Sequence, residues 1–196
     1  MTLYLIAVTS GISLFALFFY PKMLEEGMLR PFYTIREHRW YQLITSGLLH
    51  ANLGHLFVNM LTFYFFGRVM EQTLGVSQFL GLYFFSLIIS GIPSLIKERN
   101  NPNFATLGAS GAVEGVLFAF VLLYPLESIY LFFIPIPIPA FVFGILFLLY
   151  SIYENKQERG KINHEAHIAG AVSGMLYTLV FVPGAVQHFL ATIGMA

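Results

Sequence analysis

The sequence predicts an all-α polytopic membrane protein: a bundle of six transmembrane helices, with an amphipathic interfacial segment between the first and the second. Three observations carry this prediction. The 196 residues are 57% hydrophobic and 10% charged, against about 25% charged in a soluble domain. Mean hydropathy is +0.74. Apolar runs of the length that a bilayer requires, about 17 to 25 residues, recur along the chain with polar loops between them.

The runs fall at roughly 2–20, 51–69, 78–96, 109–125, 138–153 and 165–184. The first lacks a basic flank and an A-x-A cleavage site, so it reads as a retained span and not as a signal peptide. Residues 21–49 mix charges with Leu, Phe, Tyr and Trp, a composition suited to the membrane interface. KERNNPNFATL at 97–107 is a polar, turn-rich loop. IPIPIP at 134–139 is held extended by its prolines and cannot be helix interior. ENKQERGKIN at 154–163 is a further polar loop. No repeat or soluble domain interrupts the pattern, so residues 1–196 form a single membrane domain.

Composition also excludes chemistry. Net charge is zero, which leaves no basic surface for nucleic acid. All ten acidic residues are Glu, so a Ser-His-Asp triad is impossible, and the absence of Cys removes thiol nucleophiles, disulfides and zinc–thiolate sites.

Polar groups inside apolar runs cost about 2.5–3.5 kcal/mol each when charged, and therefore mark candidate functional positions. The second run opens HANLGHLFVNM, where His50, His55 and Asn59 are spaced so that His55 and Asn59 share a helix face. Such a seam also suits hydrogen bonding between helices. The fourth run opens GASG. Gly108 and Gly111 permit close backbone approach, and Ser110 stands at a helix start whose unpaired N–H groups favour a developing anion. An N-cap or packing role fits the same residues. The sixth run opens HEAHIAGAVSG. Ala166, Gly170 and Gly174 form a small-residue stripe that lets this helix press against a neighbour, carrying His167 with it. Ser110 and His167 thus offer a nucleophile and its base, while His50 and Asn59 offer donors to an oxyanion.

With these motifs in order, the sequence resembles the rhomboid intramembrane serine proteases of the six-span bacterial type, over nearly its whole length. The resemblance implies a rhomboid-like fold, with Ser110 as nucleophile, His167 as general base, and no acidic third member. It implies Asn59, His50 and the Ser110 backbone N–H as the oxyanion site, with His55 structural. It also implies hydrolysis of peptide bonds in or near the transmembrane segments of other membrane proteins, without metal or cofactor. The expected partners are those substrates and the lipid bilayer, and the expected location is the bacterial inner membrane.

Two positions depart from the family pattern. Many members carry Trp-Arg before the second span, where this chain has Tyr41-Gln42, with Arg39-Trp40 just upstream. Four residues after the serine many members have an aromatic residue against the catalytic His, whereas this chain has Glu114. A carboxylate there is expected to reach His167 or a bound water, fixing the imidazole tautomer and stabilising the imidazolium, although a Glu in a wet cavity can also satisfy itself against backbone or water. Orientation is contested within the sequence itself. Nine of ten Lys and Arg lie in loops 21–49, 97–107 and 154–163, which the positive-inside rule assigns to the cytoplasm. The bacterial family usually opens that face away from the cytoplasm, and the resemblance implies the same orientation for this chain.

Two other functions compete. A metal-dependent enzyme or transporter would use His50, His55, His164, Glu165 and His167, but HEAH lacks the H-E-x-x-H spacing and leaves GASG unexplained. A non-catalytic membrane-protein binder would have no need of Ser110 and His167 together.

Overall fold

The computed structural model describes residues 1–131, 134–157 and 163–195. Helix α1 (Thr2–Phe18) leads into three short helices, α2 (Lys22–Gly27), α3 (Pro31–Arg36) and α4 (Gln42–Thr45), and a 3-10 turn at Ser46–Leu48. Next come α5 (Leu53–Lys97) and α6 (Ser110–Leu123), then a hairpin of β1 (Ser128–Leu131) and β2 (Ile134–Pro139). The chain closes with α7 (Ala140–Gln157), α8 (His164–Phe181) and α9 (Ala185–Thr192).

The second and third apolar runs are the two arms of α5, which break at Gly75, where φ is +76°. Each arm of about 22 residues is about 33 Å long, enough for a hydrocarbon core of about 30 Å. Among the described residues α5 is the one helix that by length and composition clearly suffices to cross a membrane, and α8 with α9 suffices only if joined across a 110° bend.

The core is centred on α6. Its sequence is apolar on every side, which is the pattern of a buried helix, and from Gly111 to Val121 every residue is buried. Phe63, Phe79 and Tyr83 of α5 fill the space around it with Phe118. The exterior is inverted relative to a water-soluble protein. Leu3, Phe18, Phe57, Phe65, Leu149 and Val180 are exposed, while Ser13, Gln42, His50, Ser86 and Thr178 are buried. Lipid requires that arrangement, because it offers apolar groups nothing to avoid and polar groups nothing to bond.

Gln42 knits the 21–49 segment together. Its Oε1 accepts from the Thr34 hydroxyl at 2.7 Å, and its Nε2 donates to the Glu26 carbonyl at 3.0 Å.

The hairpin corrects the expectation of a purely helical chain. Prolines at 135, 137 and 139 forbid helix and place every missing N–H on one edge of the strand. The other edge remains able to pair, and β2 runs antiparallel to β1 with Ile129 opposite Ile138. Of the expected polar loop at 154–163, residues up to 157 continue α7, and 158–162 lie outside the described residues.

Candidate active site

Three chain segments converge on one cavity of about 750 Å³, whose wall includes His55, Asn59, Ser110, Glu114, Asn163 and His167.

The first segment is the start of α5. The Asn52 side chain caps it by accepting from the His55 N–H at 2.8 Å, satisfying one of the orphan donors of a helix N-terminus. Three to seven residues on, His55 and Asn59 face the cavity on one helical side. The Asn59 amide donates to the His55 carbonyl at 2.9 Å.

The second is the turn into α6. Gly108 has φ +127°, a conformation that side chains rarely adopt, and a Cβ there would lie 2.6 Å from His55 Cε1. Glycine is therefore required twice over, by backbone and by contact. The Gly108 N–H donates to the Ser46 carbonyl at 2.9 Å, and the Ala109 N–H donates to His50 Nε2 at 3.3 Å. Ser110 follows as the first residue of α6, at the end that gathers unpaired N–H groups.

The third is the start of α8. Asn163 caps it, accepting from the Ala166 N–H at 3.1 Å and donating to Ser94 of α5 at 2.8 Å. Glu165 adds an ion pair to Lys97 at 2.7 Å. One turn into the helix, the His167 ring lies parallel to Phe147 of α7, with 7° between planes and centroids 6.5 Å apart. His167 Nδ1 is 3.9 Å from Glu114 Oε1.

Backbone contact sets the register between α6 and α8. A Cβ added at Gly170 would lie 2.8 Å from Gly111 Cα, and one at Gly174 would lie 2.5 Å from Gly115 Cα. The expected small-residue stripe thus meets a second stripe, Gly111 and Gly115, on the nucleophile's helix.

The structure brings Ser110, His167, Asn59 and Glu114 to one cavity, with no direct hydrogen bond between Ser110 and His167. His50 is not among them. Its Nε2 accepts from Ala109, its Nδ1–H donates to Ser13 Oγ at 2.9 Å, and the Ser13 hydroxyl donates in turn to the Leu48 carbonyl at 2.8 Å. His50 is fully buried with both ring nitrogens engaged, and it stands behind the turn that carries Ser110. His55, expected to be structural, is on the cavity wall. Among the described residues no three His or Glu side chains converge as metal ligands.

Sequence reasoning overlooked Asn163 and Phe147. An Asn directly before the HEAH run is a helix-start signal that could have revealed the first; nothing in an apolar helix distinguishes the second.

Comparison with known proteins supplies the family. The Rhomboid domain model matches residues 37–184, about three quarters of the chain. Rhomboid protein 1, mitochondrial, of Saccharomyces cerevisiae is 34% identical over 69% of this chain and 40% of its own length. Rhomboid protease GluP of Bacillus subtilis is 31% identical over 42% of this chain and 16% of its own. Inactive RHOMBOID-like protein 8 of Arabidopsis thaliana is 31% identical over 41% of this chain and 23% of its own. The chain spans less than half the length of each of these relatives. It belongs to the rhomboid family of integral membrane proteins.

Proposed function

We propose that this chain is an intramembrane serine endopeptidase that cuts membrane proteins in or near their transmembrane segments, in a bacterial inner membrane. Ser110 is the nucleophile and His167 the general base. The carrying observation is that both line one cavity within a bundle whose exterior is apolar. In this reading α1, the two arms of α5, α6, α7 and α8 are the six spans of a single domain, and α2 to α4 lie in the interface. Helix α6 has 14 residues and is therefore about 21 Å long, shorter than a hydrocarbon core of about 30 Å. Its N-terminus, with Ser110, would then lie below the membrane surface while the cavity admits water.

The Ser110 oxygen attacks the substrate carbonyl carbon, its proton passes to His167, and the carbonyl electron pair moves onto oxygen. His167 then gives the proton to the departing amine, and water hydrolyses the acyl-serine by the same route. His55 and Asn59, together with the N–H groups at the start of α6, stand where the oxyanion forms. His50 supports the turn that carries Ser110. A carbonyl within an intact helix is hydrogen-bonded and shielded, so the substrate must be unwound at the cut.

The test is reaction of the detergent-solubilised protein with a fluorophosphonate. Ser110 should carry the adduct, identified by mass spectrometry, and cleavage of a transmembrane substrate should be indifferent to chelator. Absence of adduct together with chelator-sensitive cleavage would move the function to a metal centre. No cleavage of any of several substrates would favour a non-catalytic binder.

The two histidines are separable. His55→Ala and Asn59→Ala should each lower kcat by about 10²–10³-fold, the cost of losing an oxyanion donor, with the thermal midpoint little changed. His50→Ala should lower the midpoint and activity together. Equal kinetic losses at parental stability for His50 and His55 would contradict these assignments.

A further inference from the structure

Resting on the serine protease reading, we propose that Glu114 is a positioning residue that completes a Ser110–His167–Glu114 triad, with the acid supplied by the nucleophile's own helix.

Glu114 lies four residues, one helical turn, beyond Ser110 on α6, so both project to the same side. Its side chain is 12% exposed, at the cavity wall. One oxygen, Oε1, is 3.9 Å from His167 Nδ1; the other, Oε2, is buried without a hydrogen-bond partner. A carboxyl group desolvated to this degree with an unmet acceptor is costly. Neighbouring hydroxyls do not relieve it: Ser90 Oγ donates to its own helix, at the Leu87 carbonyl, and Ser86 Oγ has no partner. Glu114 Oε1 approaches the imidazole of His167 at the same cavity wall.

The surroundings of the ring assign its atoms. Phe147 lies parallel to its plane on one side. With Nδ1 towards Glu114, Nδ1 carries the hydrogen and the lone pair resides on Nε2, the nitrogen required to receive the Ser110 proton. At 3.9 Å the contact is longer than a hydrogen bond, and a movement of about 1 Å on substrate binding closes it. The proton from Ser110 stops at His167 Nε2; Glu114 takes none and holds the charged imidazolium. The spacing of acid and nucleophile is set by helix pitch, so His167 is the group whose placement depends on the rest of the bundle.

Two measurements test this together. In protein labelled with ¹⁵N-histidine, the His167 signals should be those of the Nδ1–H tautomer, and Glu114→Leu should shift the population towards Nε2–H. An Nε2–H parent, or a tautomer indifferent to Glu114→Leu, overturns the proposal whether or not the protein is active. In cleavage assays Glu114→Gln should lower kcat at least 10-fold, on the order of 100-fold, with KM within about twofold and the thermal midpoint equal or higher. A kcat loss accompanied by a falling midpoint would make Glu114 structural. A change confined to KM for substrates with a basic residue near the cut would make it a substrate reader. Both results refute the triad. A parent that cleaves nothing, or a Ser110→Ala variant that still cleaves, instead defeats the serine protease reading, while the tautomer result stands alone.

Discussion

Ser110→Ala should abolish cleavage of a transmembrane substrate, with a loss of at least about 10³-fold, and His167→Ala should do the same. Removing either member of such a pair costs about as much as removing both, on the order of 10⁶ in kcat where it has been measured on a soluble scaffold. The double variant should therefore be no worse than either single one. Stability should not follow activity, because the Ser110 side chain makes no hydrogen bond with the described residues and its removal unpairs nothing. The checks are the cleavage rate of the three variants and their thermal midpoints in the same detergent. Additive losses, or residual cleavage after Ser110→Ala, would show that serine and histidine do not act as a unit.

The second large effect is expected far from any reacting atom. Gly170→Ala and Gly174→Ala each place a methyl group against the backbone of α6, 2.8 Å from Gly111 Cα and 2.5 Å from Gly115 Cα. Backbone cannot rotate away as a side chain does, so the helices must part by about 1 Å to restore ordinary contact. Overpacking of this kind costs about 1–3 kcal/mol, and a 1 Å displacement of catalytic groups costs about 10²-fold in rate. Gly11→Ala in α1 is the control: nothing lies within 4 Å of its added Cβ, and alanine is the better helix former. Parental activity in Gly170→Ala would mean that α6 and α8 do not set the register of Ser110 and His167.

Much of this arrangement was legible in the sequence, because in lipid the hydrophobic pattern and the small-residue pattern carry separate information. Hydropathy located the runs that became α1, the arms of α5, α6, α7 and α8. The spacing of Ala166, Gly170 and Gly174 anticipated which face of α8 is pressed against a neighbour. The strand pair Ser128–Leu131 and Ile134–Pro139 was half legible: alternating prolines announced extended chain, but the pairing partner, SIYL, carries no such mark. The break at Gly75 was hidden because a lone glycine between polar and apolar residues fits a loop as well as a kink. That His55 lines the cavity while His50 lies behind it has a definite cause. Helical spacing relates His55 to Asn59, but His50 precedes the Asn52 cap, where helical periodicity does not apply. Its direction is set by Ser13 and Ala109, contacts distant in sequence, and no motif spacing encodes them.

The glycine-on-glycine contact of α6 with α8 has a consequence for how turnover should respond to temperature. Under the proposed function, the backbone that carries nucleophile and base is already in register before substrate arrives, and the ordering of that backbone has been settled at folding and not at each turnover. The activation entropy charged to the enzyme is then small. What remains is chiefly the enthalpy of breaking the substrate's own helical hydrogen bonds, so cleavage rates across substrates should rank by how readily each helix unwinds, with the protease acting as a fixed frame against which that unwinding is timed.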